Sequence, residues 1–328
     1  RIDQARGDQS LSYFEFGALA ALELFHQASV EVAVLEVGLG GRLDAVNVLD
    51  ADAALVVSIG LDHTDWLGPD RDSIGYEKAG IYRPGRPAIC ADPDPPQRLL
   101  DTAERIGANL QRVGRDYTFT GAGSTWRWES EQVRFDGLPP PALVGAHQIG
   151  NAAAVLMTLI SLRQRLPVSF SAIRAGFAQV QLPGRFQIIP GVVEWILDVA
   201  HNPPAAAILA DNLRTRPCSG RTLAVLGLLA DKDAVGVIQA LADCVDEWYT
   251  AALSGPRGRS DAELTDLLIA SGNRAWAAGD VVSACRAARQ VAQPGDRIVI
   301  LGSFHAVAPA LIAHPWQPHS PLPLSPET

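Results

Sequence analysis

The sequence predicts an α/β protein built on a largely parallel sheet. Short apolar runs of strand length alternate with longer amphipathic stretches. Several of these runs stop at a glycine followed by polar residues, as strands do where a parallel sheet meets its ligand-facing loops. The length of 328 residues accommodates about two domains of roughly 150 residues each.

Taken in order, residues 32–37 (VAVLEV) and 53–59 (AALVVSI) read as buried strands, and 87–90 (PAIC) as a shorter one. Residues 72–82 (DSIGYEKAGIY) read as a helix opened by Asp72 or Ser73 as N-cap. Residues 96–107 read as another helix. Between 117 and 136 the aromatics Tyr117, Phe119, Trp126, Trp128 and Phe135 alternate along a small antiparallel meander. A loop at 138–141 (LPPP) precedes a long helix over 149–165. Leu182-Pro183-Gly184 is the strongest break, and the α/β rhythm restarts after it. Strands are expected at 193–199, 222–228 and 297–302, with helices at 204–215, 233–243, 261–271 and 281–292. The expected organisation is therefore a first domain over 1–183, a second over 184–314 and a frayed proline-rich tail over 315–328.

Composition narrows the function. With 27 basic and 36 acidic residues, a net charge of −9, the chain lacks the Lys/Arg surplus that general phosphate-backbone binding needs. Hydrophobic residues at 48% and charged residues at 19% exclude wholesale disorder. No apolar run approaches the ~18 residues of a membrane span, and the N-terminal residues do not resemble a signal peptide. Cys90, Cys218, Cys244 and Cys285 are dispersed, with no CxxC, and read as reduced thiols of a cytosolic protein. Basic residues are lopsided: 25 arginines against two lysines, Lys78 and Lys232. A retained lysine raises the question of what arginine cannot do there. An amine can lose its proton when desolvated, and a guanidinium cannot.

Four stretches could carry chemistry. In Glu36-Val37-Gly38-Leu39-Gly40-Gly41-Arg42-Leu43-Asp44-Ala45 an apolar strand runs into a carboxylate and a glycine-rich turn. The glycines read either as a tight turn or as a close backbone approach to a ligand. A dinucleotide fingerprint fits worse, because its third glycine position holds Leu43. Ser58-Ile59-Gly60-Leu61-Asp62-His63 repeats the arrangement with an imidazole. If the two strands are neighbours, Glu36 and His63 share a crevice and could hold a metal; the alternative is Asp62 fixing the tautomer of His63. Tyr76-Glu77-Lys78-Ala79-Gly80 places one of the two lysines at a helix end, where it is either favourable to the helix dipole or a reactive amine able to add CO2. In the second half, Asp198-Val199-Ala200-His201-Asn202-Pro203 ends a strand and starts a helix, Arg185 follows the Leu182-Pro183-Gly184 break, and Gly302-Ser303-Phe304-His305 ends the last strand.

Together, LEVGLGGRLDAVN, SIGLDHTDWLG, EKAGI, HQIGNAAA, LPGRF, DVAHNP, DKD and GSFH, in this order, resemble the folylpolyglutamate synthase/dihydrofolate synthase family of the Mur ligase superfamily, over about residues 11–310. The resemblance implies a P-loop ATPase-like central domain followed by a Rossmann-like C-terminal domain. It implies an ATP-dependent amide ligase: ATP converts a pteroate or folate carboxylate to an acyl phosphate, and the amine of L-glutamate displaces the phosphate. By the same resemblance Glu36, His63 and a carbamylated Lys78 bind Mg2+; Asn151, Arg185 and Asp198 contact ATP; Ser12, Tyr13, Phe14, Glu15, Leu43, Asp44 and Ala45 line the pterin side; and His201 and Ser303 line the glutamate side. Lys78 and His201 are the residues it makes catalytic. Mg2+ favours oxygen ligands such as a carbamate, and His63 alone would have suggested Zn or Mn.

One departure stands out. The family carries a phosphate loop of the form GTNGKGS, and this sequence has no G-x-x-x-x-G-K-[ST]. The only methionine is Met157. The expectation is that the chain lacks an N-terminal region of on the order of one hundred residues and is inactive alone. The expected partners are the pteroate or folate substrate and L-glutamate, with no nucleic acid, no membrane, a monomeric state and a cytoplasmic location. The rival readings are a Mur-type ligase acting on a cell-wall nucleotide precursor, a non-catalytic binding protein on the same fold, and a dinucleotide oxidoreductase.

Overall fold

The computed structural model describes residues 1–121 and 123–317. Its contacts divide the chain into two compact units, one formed by 1–140 with 149–178 and the other by 141–148 with 179 onward. The expectation for the tail beyond 317 concerns residues outside those described.

The first unit begins with helices α1 (Ile2–Arg6) and α2 (Tyr13–Ala28). After a 3-10 turn at Ala45–Val48 come β1 (Ala54–Val56), α3 (Thr64–Leu67), α4 (Arg71–Ala79), β2 (Pro87–Cys90), α5 (Gln97–Ile106) and β3 (Asn109–Arg112). Strands β1, β2 and β3 form a parallel sheet in that order. Ile74 and Ala79 of α4 and Leu99 and Ala103 of α5 cover it, packing on Ala54, Val56, Ala88 and Cys90. The meander follows as β4 (Tyr117–Thr120), β5 (Trp126–Ser130) and β6 (Arg134–Leu138), then α6 (His147–Leu162) and α7 (Phe170–Gln179). Its inward residues Tyr117, Trp126, Trp128 and Leu138 bury against Ala153, Leu156 and Met157 of α6. The buried Trp128 indole donates to the Ala153 carbonyl at 3.0 Å, so its polar edge is satisfied inside an apolar core.

The second unit contains β7 (Gln187–Ile189), β8 (Glu194–Leu197), α8 (Pro203–Thr215), β9 (Thr222–Leu226), α9 (Ala234–Leu241), β10 (Glu247–Thr250), α10 (Asp261–Ala270), β11 (Ala275–Ala277), α11 (Val281–Val291), β12 (Arg297–Leu301) and α12 (Phe304–Ala313). The sheet order is β11-β10-β9-β12-β8-β7, parallel except for the edge strand β7. Leu209, Val237 and Leu264 of α8, α9 and α10 lie in the core on one face, and Val281, Ala284 and Val307 of α11 and α12 lie in the core on the other. From β9 the chain winds outward through β10 and β11, then returns to place β12 on the other side of β9. The crevice outside the carboxyl ends of β9 and β12 is the switch point where open α/β sheets bind ligands. There Gly302 sits at φ +117°, and a Cβ on it would collide with the Gly227 carbonyl after β9.

The expected α/β class and most of the expected elements are present, but several differ. Residues 32–37 are not a strand: among the described residues no strand pairs with them, and Val32 and Val34 are exposed. An apolar alternation becomes a strand only when a neighbour supplies its ladder hydrogen bonds. The strand expected at 53–59 shortens to β1, because β2 pairs only with Ala54–Val56. Helix α4 is capped earlier than expected, by Asp70 and not by Asp72 or Ser73; the Asp70 carboxylate accepts the Ser73 N–H at 2.7 Å.

Candidate active site

In the first unit the glycine-rich turn is fitted to α4 and is not a free loop. The Arg42 N–H donates to the Glu77 carbonyl at 2.8 Å, and the Arg42 guanidinium pairs with the Glu77 carboxylate at 3.0 Å. Gly41 is buried at φ +155°, and a Cβ there would stand 2.9 Å from the Glu77 carbonyl and 3.1 Å from that of Lys78. Gly38 faces the Phe14 ring, where a Cβ would lie 2.6 Å from its Cζ. The Asp44 carboxylate closes the turn on itself, accepting the N–H groups of Gly38, Leu39 and Val46 at 3.0 Å each. Asp44 thus shapes the backbone, and Ala45 opens the 3-10 turn behind it. Ser12 and Glu15 form a capping box on α2: the Ser12 hydroxyl accepts the Glu15 N–H at 3.2 Å, and the Glu15 carboxylate accepts the Ser12 N–H at 2.7 Å. Tyr13 (98% exposed) and Leu43 (79% exposed) are left to offer their side chains outward.

His63 caps α3 in the left-handed conformation at φ 52°, ψ 39°, a strained position for a non-glycine residue. Its imidazole lies 3.9 Å from the neighbouring Asp62 carboxylate. Lys78 lies in the last turn of α4. Burial holds its ammonium below the ordinary lysine range, and the negative charge of Asp62 works against that shift. Asp62, His63 and Lys78 therefore occupy one neighbourhood. Glu36 is exposed in the unpaired 32–37 segment. Among the described residues no three His, Cys, Asp or Glu side chains converge as a metal site. A divalent cation fits this donor set only through Lys78. Its desolvated amine is suited to become a carbamate, which replaces a repelling cation with two oxygen ligands.

In the second unit three of the sequence motifs converge. The Asp198 carboxylate accepts the Phe186 N–H at 2.8 Å and the Ala200 N–H at 2.8 Å. Burial raises its proton affinity, opposed by these two hydrogen bonds and by the charges of Arg185 and His201. The turn it holds contains Gly184 at φ +72° and Phe186 at φ 44°. A Cβ on Gly184 would press on Val199 at 3.0 Å and on Val307 of α12 at 3.3 Å. The Arg185 guanidinium stacks over the Phe304 ring, 5.7 Å from its centroid. His201 Nδ1 lies 2.9 Å from the Val199 carbonyl, which makes it the N–H of the ring and leaves Nε2 as the basic nitrogen. Ser303 is buried and caps α12, its hydroxyl accepting the Ala306 N–H at 3.2 Å. Asn151 is exposed in the second turn of α6, in the other unit. Sequence reasoning missed Phe304 as the platform for Arg185, although it stands between Ser303 and His305 in a motif already singled out.

Residues 184–304 match the model of the Mur ligase glutamate ligase domain. The dihydrofolate synthase/folylpolyglutamate synthase of Escherichia coli is 47% identical over 307 residues, covering 94% of this chain and 70% of that protein. The chain belongs to this family. The Haemophilus influenzae member is 40% identical over 322 residues, covering 92% of the chain and 72% of the relative. Among solved structures, Escherichia coli FolC in complex with DHPP and ADP superposes with a TM-score of 0.89 at 47% identity, covering 95% of this chain and 73% of that one. A bifunctional folylpolyglutamate synthase/dihydrofolate synthase with Mn, AMPPNP and L-glutamate bound gives 0.87 at 46% identity, covering 95% and 73%.

Proposed function

We propose that this protein joins L-glutamate to dihydropteroate, to reduced folates or to both, at the expense of ATP. A carboxylate oxygen of the acceptor attacks the γ-phosphorus of ATP, giving an acyl phosphate and ADP. The glutamate amine then attacks the acyl carbon, forming the amide bond, losing a proton and releasing phosphate. The observation that carries the reading is Lys78: one of two lysines in an arginine-rich chain, desolvated, and under the charge of Asp62, the chain neighbour of His63.

Glu36, His63 and carbamylated Lys78 would hold Mg2+, which supplies charge neutralisation at the transferring phosphate. Arg185, steadied on Phe304, offers its guanidinium to phosphate oxygens. Asp198 serves ATP binding by holding the backbone turn that presents Arg185. Asn151, on α6 of the first unit, is assigned to ATP by the family resemblance alone. On the pterin side Tyr13, Phe14 and Leu43 provide contact surface, while Ser12, Glu15, Asp44 and Ala45 fix its shape. His201, with Nε2 basic, and Ser303 serve the glutamate side. The protein acts as a monomer in the cytoplasm, without nucleic acid or membrane; no helix among the described residues is long and apolar enough to cross a bilayer.

Phosphate release tests this reading. It should depend on both L-glutamate and dihydropteroate or a folate, and Lys78→Arg, which keeps the charge but forms no carbamate, should lower kcat by about 100-fold or more. Turnover only with a cell-wall nucleotide precursor, or an unimpaired Lys78→Arg enzyme, would overturn it.

A further inference from the structure

The loop that carries His63 is closed by a polar clamp that the ligase reading does not use. The Asp92 carboxylate, after β2, is 3% exposed. It accepts the Ile59 N–H at 2.7 Å, the Asp94 N–H at 3.0 Å, and Arg71 Nη2 at 3.0 Å from each of its oxygens. Arg71 Nε donates to the Ile59 carbonyl at 3.0 Å, and its Nη2 donates to the Asp94 carbonyl at 2.8 Å. Both backbone groups of Ile59 are therefore gripped, the donor by Asp92 and the acceptor by Arg71. Ile59 and Arg71 are 12 residues apart and form the two ends of the loop. His63 and all of α3 lie between them. Arg71 is also the first residue of α4, the helix whose last turn carries Lys78.

We propose that Arg71 and Asp92 are positioning residues for His63. The clamp fixes the loop's exit from β1 to the start of α4, and so fixes the imidazole relative to Lys78. The need for it is local. Ile59 itself is buried in the core of the first unit, but Gly60 after it has nothing within 4 Å of a would-be Cβ and Leu61 is 51% exposed, so packing stops at the Ile59 side chain and does not set the direction in which the backbone leaves it. At the far end, a Cβ on Gly68 would collide with Ser73, so that end is already seated on α4. The planar fork of Arg71 reaches the Asp92 carboxylate and two carbonyls at once; a lysine ammonium would keep the charge and lose that geometry. This inference rests on the reading of His63 as a metal ligand.

The test measures Mn2+ binding to the full chain by electron paramagnetic resonance, independently of turnover, beside thermal unfolding. Arg71→Lys and Asp92→Asn should each weaken Mn2+ binding by about 10- to 100-fold, as loss of the groups that orient a ligand does. His63→Ala should weaken it too, and adding Arg71→Lys to His63→Ala should cause no further loss, since Arg71 acts through His63. If His63→Ala leaves Mn2+ binding unchanged, the ligand reading itself fails. If His63→Ala weakens binding while folded Arg71→Lys and Asp92→Asn bind as the parent does, the clamp proposal fails alone. Full additivity of Arg71→Lys and His63→Ala, or loss of fold in both clamp variants, also overturns it, because the pair would then serve the fold and not His63.

Discussion

Burial lowers the proton affinity of Lys78 below that of a free lysine, with Asp62 opposing the shift. The folded state therefore releases this proton at a lower pH than the unfolded chain does. Between the lowered value and the ordinary 10.5 the unfolded state binds more protons, so stability rises with pH across that window. The penalty for burying the ammonium is fully present below the window and gone above it. Chemical denaturation of the parent in CO2-free buffer should give an unfolding free energy that climbs as the pH approaches 10.5 from below. Lys78→Met should be more stable at neutral pH and lose that climb. Equal pH slopes for the two proteins would mean that the amine is not desolvated as its position in α4 indicates. The same residue illustrates how far residue-level reading reaches. Its scarcity singles it out in the sequence, but the neighbour that tunes it, Asp62, is 16 positions away along the chain and reads there only as a partner of His63.

At the scale of elements, legibility followed how local the determinants are. The meander of β4, β5 and β6 was legible because its aromatics alternate and bury within one sequence window. Strand β2 was legible at its observed bounds because a short apolar run there is buried and paired on both sides. Residues 32–37 have as good a pattern, yet they lack a ladder partner, and a pattern does not encode its partner. Helix α2 and strands β10 and β11 were not expected. The capping box Ser12–Glu15 was read as ligand contact instead of as a helix start. In β10 and β11 the residues Glu247 and Trp276 do not look like strand interior until Arg221 is seen to pair with the buried Glu247 at 3.0 Å. The glycine-rich turn was legible as a close approach; what it approaches is α4, by Gly41, and the α2 ring of Phe14, by Gly38. That predicts a contrast. Gly41→Ala combines a positive φ with contacts of 2.9 Å to the Glu77 carbonyl and the Ile81 side chain, and should destabilise by about 2–4 kcal/mol. Gly60→Ala, with nothing within 4 Å, should change stability by no more than about 0.5–1 kcal/mol in either direction. Denaturation midpoints of the two variants test the pair, and a tolerated Gly41→Ala would mean that the turn is free to move off α4.

For the whole molecule, charge decides what the arginines can do. The chain is rich in arginine and still carries a net charge of −9, and many of its guanidiniums are already committed to carboxylates. Arg42 pairs with Glu77, Arg71 with Asp92, Arg216 with Glu194, Arg221 with both Glu247 and Asp296, and Arg257 with Asp231, at 2.6–3.0 Å. A duplex would have to break such pairs, or meet their acidic partners, to gain each phosphate contact. Nucleic-acid affinity at modest salt comes from releasing counterions, one contact at a time, and a surface with few uncommitted cations and a surplus of anions has little to release. Arg185 is held over an aromatic ring with the charge of the buried Asp198 nearby, which suits it to one bound phosphate group and not to a polymer. The expected outcome is that fluorescence anisotropy of a labelled 20-base-pair duplex stays flat with micromolar protein at 50 mM salt, while ATP protects the same protein against thermal unfolding. Tight duplex binding that weakens steeply with salt would show instead that the paired arginines open toward a polyanion, and the charge argument against nucleic acid would fall with it.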